Sequence, residues 1–402
     1  MHHGADVLLS LFVVFVAAQV GGEIAQRLRM PAVVGEIAAG CLIGPYAFGW
    51  IQLNEPLEVL AELGAVLLLF SVGLETRLND LRKVGRVATL VGVSGVALPF
   101  VLGGLWARLS GFDTPKAMFI AAAFVATSAG ITARVLQELG VLGRKESRII
   151  LSAAVIDDIL AMLLIGVVTT IQGGGGVHVA SLLVVLAQAI GFVTLVALVG
   201  TRVMQKSSPL LDAPINPFSP LTLSLMICLG LAVAASFIGL AAIIGAFLAG
   251  MIVAETSQRH TLEKQVQVIM AFLVPFFFVV TGAKVEVRQL GNSSALKMVV
   301  VVTIIAAVSK FVGCGLAALS TGRRSAVIVG VGMVPRGEVG IIVASLGLQA
   351  GVFSETIYAA LIAMSLITSI IAPPALKVLF SGRPSSGGDP SPLTGAKETS
   401  HS

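Results

Sequence analysis

Residues 153–160 read AAVIDDIL and place two adjacent acids, Asp157 and Asp158, in the middle of an apolar segment that runs from about residue 147 to 171. A segment of that length and composition crosses a bilayer as a helix. One ionisable side chain at the bilayer centre costs roughly 2.5–3.5 kcal/mol, and two cost about twice that unless water, a cation or a proton relieves them. The pair therefore indicates a functional site inside a membrane.

The composition of the whole chain agrees with a membrane protein. Of 402 residues, 56% are hydrophobic and 12% are charged, whereas soluble domains carry about 25% charged residues. The formal charge of +5 is better explained by basic loops on one side of a membrane than by binding of nucleic acid. We expect an all-α polytopic membrane protein embedded in a lipid bilayer, with no nucleic-acid partner.

Hydropathy predicts thirteen transmembrane helices. Their centres lie near residues 16, 42, 66, 96, 124, 159, 190, 229, 246, 274, 308, 337 and 368. Lys and Arg are concentrated in the odd-numbered connections, which predicts an N-terminus outside and a C-terminus in the cytoplasm. We expect residues 1–380 to form the transmembrane domain and residues 381–402, rich in Gly, Pro and Ser, to form a disordered cytoplasmic tail.

Two parts of the chain resemble each other at a nearly constant offset. Residues 34–40, VGEIAAG, resemble residues 244–250, IGAFLAG, at an offset of 210, and the ends of spans 3 and 10 match at an offset of 209. An offset of seven spans gives the two copies opposite orientations, and inverted-topology repeats are typical of secondary transporters. Chance similarity between helices rich in Gly and Ala is the alternative explanation.

Spans 5 and 12 have helix-weakening or polar residues at their centres. Residues 126–132 read ATSAGIT, and residues 332–340 read GMVPRGEVG, in which Pro335 cannot continue a regular helix. We predict two interrupted, crossing helices, because irregular backbone at membrane depth must line a cavity and such pairs mark the ion sites of transporters. A simple proline kink does not explain why Arg336 and Glu338 lie there.

Five ionisable residues are expected to be buried in the membrane: Asp157, Asp158, Lys310 in span 11, Arg336 and Glu338. Neighbours on a helix point about 100° apart, so one aspartate can pair with Lys310 while the other faces a cavity. Arg336 and Glu338 do not face each other, and each is expected to cap or pair with the interrupted region. Three further acids near span ends are interpreted as interfacial or pairing residues: Glu36, Glu62 and Glu75. For Glu36 the alternative is that it faces a cavity.

A carboxylate that faces a cavity at this depth has two competing ligands. Burial and a neighbouring acid favour its protonated form, whereas a small hard cation such as sodium neutralises it through oxygen ligands. The hydroxyls of Thr127 and Ser128, with carbonyls freed where span 5 unwinds, could complete a sodium site. One group with two mutually exclusive ligands, and access that alternates between the two sides, is sufficient for cation–proton exchange.

These motifs resemble those of a known family. Residues 125–136, the two aspartates, Lys310 and residues 332–338 are similar to bacterial sodium/proton antiporters of the monovalent cation:proton antiporter-2 family, NapA type. The similarity extends over roughly residues 7–380. It implies a homodimer in the bacterial plasma (inner) membrane. It also implies a dimerisation part around spans 1–3 and 8–10 and a mobile core part around spans 4–6 and 11–13 that moves as an elevator.

The resemblance also implies roles for individual residues. Asp158 would carry sodium or a proton, with lithium as a further candidate ion, and Thr127 and Ser128 would lie near the bound ion. Asp157 would be the partner of Lys310, and two carboxylates with a lysine imply electrogenic exchange of two protons per sodium. We therefore expect a transporter and not an enzyme, with sodium and protons as substrates and no cofactor.

Two alternatives share some of these features. An intramembrane aspartyl protease also needs two acids, but these must face each other from separate helices, and adjacent Asp157 and Asp158 point apart. A potassium/proton antiporter or potassium efflux system on the same fold is the closer alternative. Such efflux systems commonly carry a soluble nucleotide-binding domain, which we do not expect in this chain.

Overall fold

The computed structural model describes residues 2–76, 78–172, 179–196, 219–285 and 293–381, and the regular elements within these ranges are helical. They comprise fifteen α-helices and a short 3₁₀ helix, Leu319–Thr321. The α-helices are α1 (His2–Arg27), α2 (Ala32–Ile43), α3 (Glu55–Leu74), α4 (Leu78–Leu109), α5 (Thr114–Val125), α6 (Ala129–Glu138), α7 (Lys145–Gln172), α8 (Val179–Leu195), α9 (Ser219–Phe237), α10 (Ala242–Val253), α11 (Arg259–Ala283), α12 (Ser293–Ala317), α13 (Arg323–Gly332), α14 (Glu338–Gln349) and α15 (Glu355–Ser381).

Nine helical segments of the described chain are long and apolar enough to cross a membrane, when α5 and α6 are counted as one. Three shorter apolar helices accompany them, at Ala32–Ile43, Leu186–Leu195 and Ala242–Val253. The prediction of an all-α polytopic membrane protein is therefore confirmed.

Two predicted boundaries differ from the structure. The second span centre, near residue 42, falls in the last turn of α2, because Gly44 ends that helix and Pro45 follows it. Ser381, assigned to the tail, is the last residue of α15, where its hydroxyl donates to the carbonyl oxygen of Val378 at 3.0 Å. Residues 382–402, the rest of the predicted tail, lie outside the described residues.

The described helices pack as two sets. The first set contains α1, α2, α3, α9, α10 and α11, and the second contains α4–α7 and α12–α15, with α8 against α7. Contacts are dense within each set and sparser between them, where α6 lies against α3 and α2 and α15 lies against α2. We call the surface between the two sets the seam.

Glycines bring the helices of the first set into backbone contact. A Cβ atom at Gly40 would overlap the carbonyl oxygen of Val279, and one at Gly282 would overlap that of Ile37. Helices α2 and α11 can therefore approach this closely only because neither glycine has a side chain. Replacing either residue would force the two backbones apart.

The same pair of contacts recurs between α3 and α10. A Cβ atom at Gly250 would overlap the carbonyl oxygen of Phe70, and one at Gly73 would overlap that of Phe247. Each of these four residues lies 209 or 210 positions from its counterpart in the contact between α2 and α11. In both contacts, the second helix of one repeat packs on the third helix of the other repeat. This exchange supports the internal repeat found in the sequence.

Candidate functional site

Two helices are interrupted, and their interruptions are in contact. Helix α5 ends at Val125 before α6 begins at Ala129, and α13 ends at Gly332 before α14 begins at Glu338. The amide of Ser128 donates to the carbonyl oxygen of Pro335 at 2.8 Å. Pro335 explains one interruption, since it has no amide hydrogen to donate. In the other, the side chain of Ser128 caps α6.

The carbonyl oxygens at the end of α5 have no donors within the helix. Two buried, positively charged side chains donate to them instead. Lys310 Nζ donates to the carbonyl oxygen of Val125 at 2.7 Å, and Arg336 Nη1 donates to those of Val125 and Ala126, each at 2.8 Å. Arg336 Nη2 also donates to the carbonyl oxygen of Ala306 at 2.9 Å. Positive charge at a helix C-terminus is stabilising. Arg336 thus donates to the carbonyl oxygens at the interruption, the region that it was expected to cap or pair with.

Asp157 and Lys310 form the ion pair that the family resemblance implies. The distance from Lys310 Nζ to Asp157 Oδ1 is 2.5 Å, and both side chains are fully buried. Asp157 Oδ2 has no hydrogen-bond partner among the described residues. The lysine thus joins α7 to the end of α5 and leaves one carboxylate oxygen of Asp157 for a further proton or ligand.

Asp158 has a different environment from its neighbour. It is 3% exposed and lines a cavity of about 10 Å³, which has room for about one water molecule. The cavity lies on the seam, since Ala129 of the second set and Leu69, Ile243 and Phe247 of the first set also line it. The two adjacent acids therefore face different neighbours, as the helical geometry predicts.

The remaining predicted ligands lie at the interruptions. Thr127 is buried, and its hydroxyl has no hydrogen-bond partner among the described residues. Ser128 is buried as well and packs closely on Gly337. A Cβ atom at position 337 would overlap the hydroxyl of Ser128. The side chain of Glu338 lies outside the described residues.

A larger cavity opens on the seam near the beginning of α3. It measures about 410 Å³, and its lining includes Glu58, Glu62, Thr281, Lys284 and Ile341. Lys284 and Glu58 form an ion pair at 3.2 Å at its rim. Its lining comes mostly from α3, α10 and α11, and Ile341 of α14 is the lining residue from the second set.

The chain also matches a known protein family. A model of the sodium/hydrogen exchanger transmembrane family matches residues 10–382. This chain belongs to that family.

Curated members of the family resemble the chain over most of its length. The high-affinity Na⁺/H⁺ antiporter NhaS3 of Synechocystis is 35% identical over 94% of this chain and 90% of its own length. The Na⁺/H⁺-K⁺ antiporter GerN of Bacillus cereus is 33% identical over 94% of this chain and 97% of its own length. A Na⁺/H⁺ antiporter of Enterococcus hirae is 30% identical over 91% and 96%, respectively. These relatives are transporters.

A solved structure has the same fold. The sodium proton antiporter MjNhaP1 from Methanocaldococcus jannaschii, at pH 8, covers 94% of this chain with a TM-score of 0.67, and the chain covers 98% of it. The sequence identity is 15%, so this similarity concerns the fold alone.

Two residues of the site were not predicted from the sequence. The hydroxyl of Thr368 accepts from the backbone amide of Arg336 at 3.2 Å, and the hydroxyl of Ser369 donates to the carbonyl oxygen of Arg336 at 2.5 Å. Both lie in α15 and hold the backbone of the interruption. A buried pair of hydroxyl residues within an apolar span was the signal that could have revealed them.

Proposed function

We propose that the chain exchanges sodium ions for protons across a bacterial plasma membrane and that Asp158 binds the two ions in turn. The observation that carries this proposal is the division of the two adjacent acids. Asp157 is held by Lys310, whereas Asp158 lines a cavity on the seam. Family membership and the antiporter names of the relatives support the same activity.

A sodium ion at Asp158 would be bound by oxygen atoms. Hard cations prefer such ligands. The hydroxyls of Thr127 and Ser128 are the candidates, because both residues lie in the interruption between α5 and α6. The Thr127 hydroxyl has no hydrogen-bond partner among the described residues, so a cation would satisfy it. Because a proton and a cation neutralise the same carboxylate, binding of one excludes the other.

The ion pair between Asp157 and Lys310 is proposed to carry a second proton. Release of sodium and uptake of two protons would move one net charge per cycle. A membrane potential contributes about 2.3 kcal/mol per charge per 100 mV. An inside-negative potential would then drive proton entry and sodium exit.

Alternating access is proposed to occur by an elevator movement of the second helix set along the first. Backbone contacts through glycine hold the first set together, while contacts across the seam are fewer, which supports movement along the seam. The first set would form the dimer interface. Thirteen spans in two inverted repeats, an outside N-terminus and a cytoplasmic C-terminus complete the proposed arrangement.

Replacement of Asp158 by asparagine tests the proposal directly. Purified Asp158→Asn protein in liposomes is expected to lose proton movement driven by sodium, because the neutral amide can take neither ion by charge. Glu55→Gln is the matched control, since Glu55 is an exposed acid in the first turn of α3. Undiminished exchange by Asp158→Asn would refute the assignment.

The same assay identifies the cation that is exchanged for protons. Sodium, lithium and potassium are supplied in turn to the wild-type protein, because one relative is named as a Na⁺/H⁺-K⁺ antiporter. We expect sodium to give the largest response. A response to potassium alone would mean that the site exchanges potassium, and not sodium, for protons.

A further inference from the structure

The last turns of α6 carry polar contacts across the seam. Gln137 donates to the Ser71 hydroxyl at 3.0 Å and to Glu75 Oε1 at 2.9 Å, both at the C-terminal end of α3. Glu138 Oε2 accepts from the amide of Ala32, the first residue of α2, at 3.1 Å. The two helix sets are therefore bridged at this end, whereas the 410 Å³ cavity lies at the other end of α3.

One buried acid lies beside this bridge and is not part of the exchange site. Glu36, one turn into α2, is 6% exposed, and its Oε2 has no hydrogen-bond partner among the described residues. Arg134 and Glu138 of α6 are the charged groups that act on it. Arg134 already pairs with Glu138, with 2.9 Å between Nε and Oε1. Arg134 is therefore paired with Glu138 and acts on Glu36 through its charge.

Other helices that touch α2 carry charges as well. On α1, Glu23 and Arg27 pair with each other at 2.9 Å, and both side chains are more than half exposed. The charged or titratable residues of α11 and α15 lie mainly towards the ends of these helices: Arg259, His260, Glu263 and Lys264 on α11, and Glu355, Tyr358 and Lys377 on α15. The charged groups that act on Glu36 are accordingly those of α6.

The charge balance depends on whether Glu36 carries a proton. With a proton on Glu36, Arg134 and Glu138 neutralise each other, and Glu138 remains available to the amide of Ala32. Without it, an ionised carboxylate is buried at the contact, where a desolvated charge is costly, and separation of α6 from α2 would let water reach it. Loss of the proton therefore weakens the contact between α6 and α2.

We propose that Glu36 is a second proton-binding site, outside the exchange site, and that its proton holds α6 against α2. At low pH the bridge is closed and the conformation described here is stabilised. At higher pH Glu36 loses its proton, the bridge opens, and the second helix set is released. The inference rests on the proposed function in one respect: the second helix set is assumed to move.

Two measurements that need no transport test the inference. Infrared difference spectra of the wild type against Glu36→Gln report the C=O stretch of a protonated carboxylic acid. Hydrogen–deuterium exchange of α6 and of the first turn of α2 reports opening of the bridge. Glu23→Gln is the matched control, because it removes an exposed acid from the neighbouring helix. Glu36→Asp keeps a titratable group at the same position.

The expected results are specific. At about neutral pH, the carboxylic-acid band is lost in Glu36→Gln and kept in Glu23→Gln. Between about pH 6 and about pH 8.5, the wild type, Glu23→Gln and Glu36→Asp lose protection at the bridge by up to about tenfold per pH unit, as a one-proton linkage allows. Glu36→Gln stays protected throughout this range.

Two outcomes would overturn the inference. One is an unchanged carboxylic-acid band in Glu36→Gln, which means that Glu36 carries no proton. The other is the same pH dependence of protection in Glu36→Gln as in Glu23→Gln, which means that another group controls the bridge. Neither outcome bears on Asp158, whose test is loss of sodium-driven proton movement.

Discussion

The amide of Ser128 donates to the carbonyl oxygen of Pro335 at 2.8 Å, so the two helix interruptions are joined through their backbones. Each interruption thereby satisfies a backbone group that the other leaves without a helical partner. The carbonyl oxygens of Val125 and Ala126 still need donors, and these come from Lys310 and Arg336. The buried cations are therefore part of the backbone structure as well as of the charge balance.

Removal of the lysine is expected to destabilise the protein strongly. Lys310→Ala leaves Asp157 charged and unpaired in a fully buried place, which typically costs about 3–5 kcal/mol. Thermal unfolding in detergent measures the loss, and the double variant Asp157→Asn/Lys310→Ala should recover part of it. Lys297→Ala, an exposed lysine on the same helix, is the control. A melting temperature as high as that of the control contradicts the role of the pair.

The guanidinium of Arg336 should not be replaceable by an amine. Arg336→Lys keeps the charge but cannot reach the carbonyl oxygens of Val125, Ala126 and Ala306 together. Each buried acceptor left without a donor costs about 1–3 kcal/mol, so a clear fall in melting temperature is expected. Arg323→Lys, at the exposed start of α13, serves as the comparison and should melt like the wild type.

The repeated glycine contacts predict equal sensitivity at two distant positions. Gly40→Ala and Gly250→Ala each place a methyl group against a carbonyl oxygen of a neighbouring helix, and such overpacking costs about 1–3 kcal/mol. Gly230→Ala in α9 meets nothing within 4 Å and should stabilise by about 1 kcal/mol, because Ala is the better helix former. Unequal losses at Gly40 and Gly250 would speak against equivalent contacts.

Exchange is expected to respond to an imposed membrane potential. If two protons move against one sodium ion, a potassium diffusion potential set with valinomycin should change the rate of sodium-driven proton movement in liposomes. An inside-negative potential should favour inward movement of the net positive charge. A rate that does not depend on the potential indicates electroneutral exchange, one proton for each sodium ion.

The acid at the end of α3 predicts a pH dependence of stability. Burial raises the pKa of the Glu75 carboxyl above its ordinary value, against the hydrogen bond from Gln137 and the charge of Arg259. The folded protein thus binds this proton more tightly than the unfolded chain, and Glu75 lowers stability as the pH rises through the interval between the two pKa values. Glu75→Gln should therefore stabilise the protein at neutral pH.

The comparison for Glu75 is made at acidic pH. Below the pKa of the unfolded chain, the carboxyl is protonated in both states, so Glu75→Gln and the wild type should unfold at the same temperature. A stabilisation that is equally large at acidic and neutral pH would come from some other effect of the amide.

Sequence reasoning predicted the side-chain pair and missed the backbone contacts, and the reason is physical. Two acids and a lysine within apolar spans must be neutralised, so composition and helical periodicity predict that one of the two aspartates pairs with Lys310. The choice of Asp157 as that partner came from the family resemblance. The donors to Val125 and Ala126 follow from the path of the chain, and carbonyl oxygens leave no signature in a sequence. Arg336 could be placed at the interruption, but its particular acceptors could not.

The same limit applies to the acids near span ends. Glu36 looked like an interfacial or pairing residue because it lies one turn from the beginning of a helix. Its burial depends on α6, whose Arg134 lies about a hundred residues further along the chain. Only tertiary packing brings these residues together, so the sequence alone could not predict it.

The exchanged glycine contacts also constrain how the chain assembles during synthesis. Gly40 packs on Val279 and Gly282 on Ile37, so α2 enters the bilayer long before the ribosome has made the helix that covers it. Neither repeat can complete its packing alone, because each waits for a helix of the other. Contacts between residues so distant in sequence form slowly, so the faces of α2 and α3 that pack on α11 and α10 remain uncovered in the nascent N-terminal half until the second half arrives.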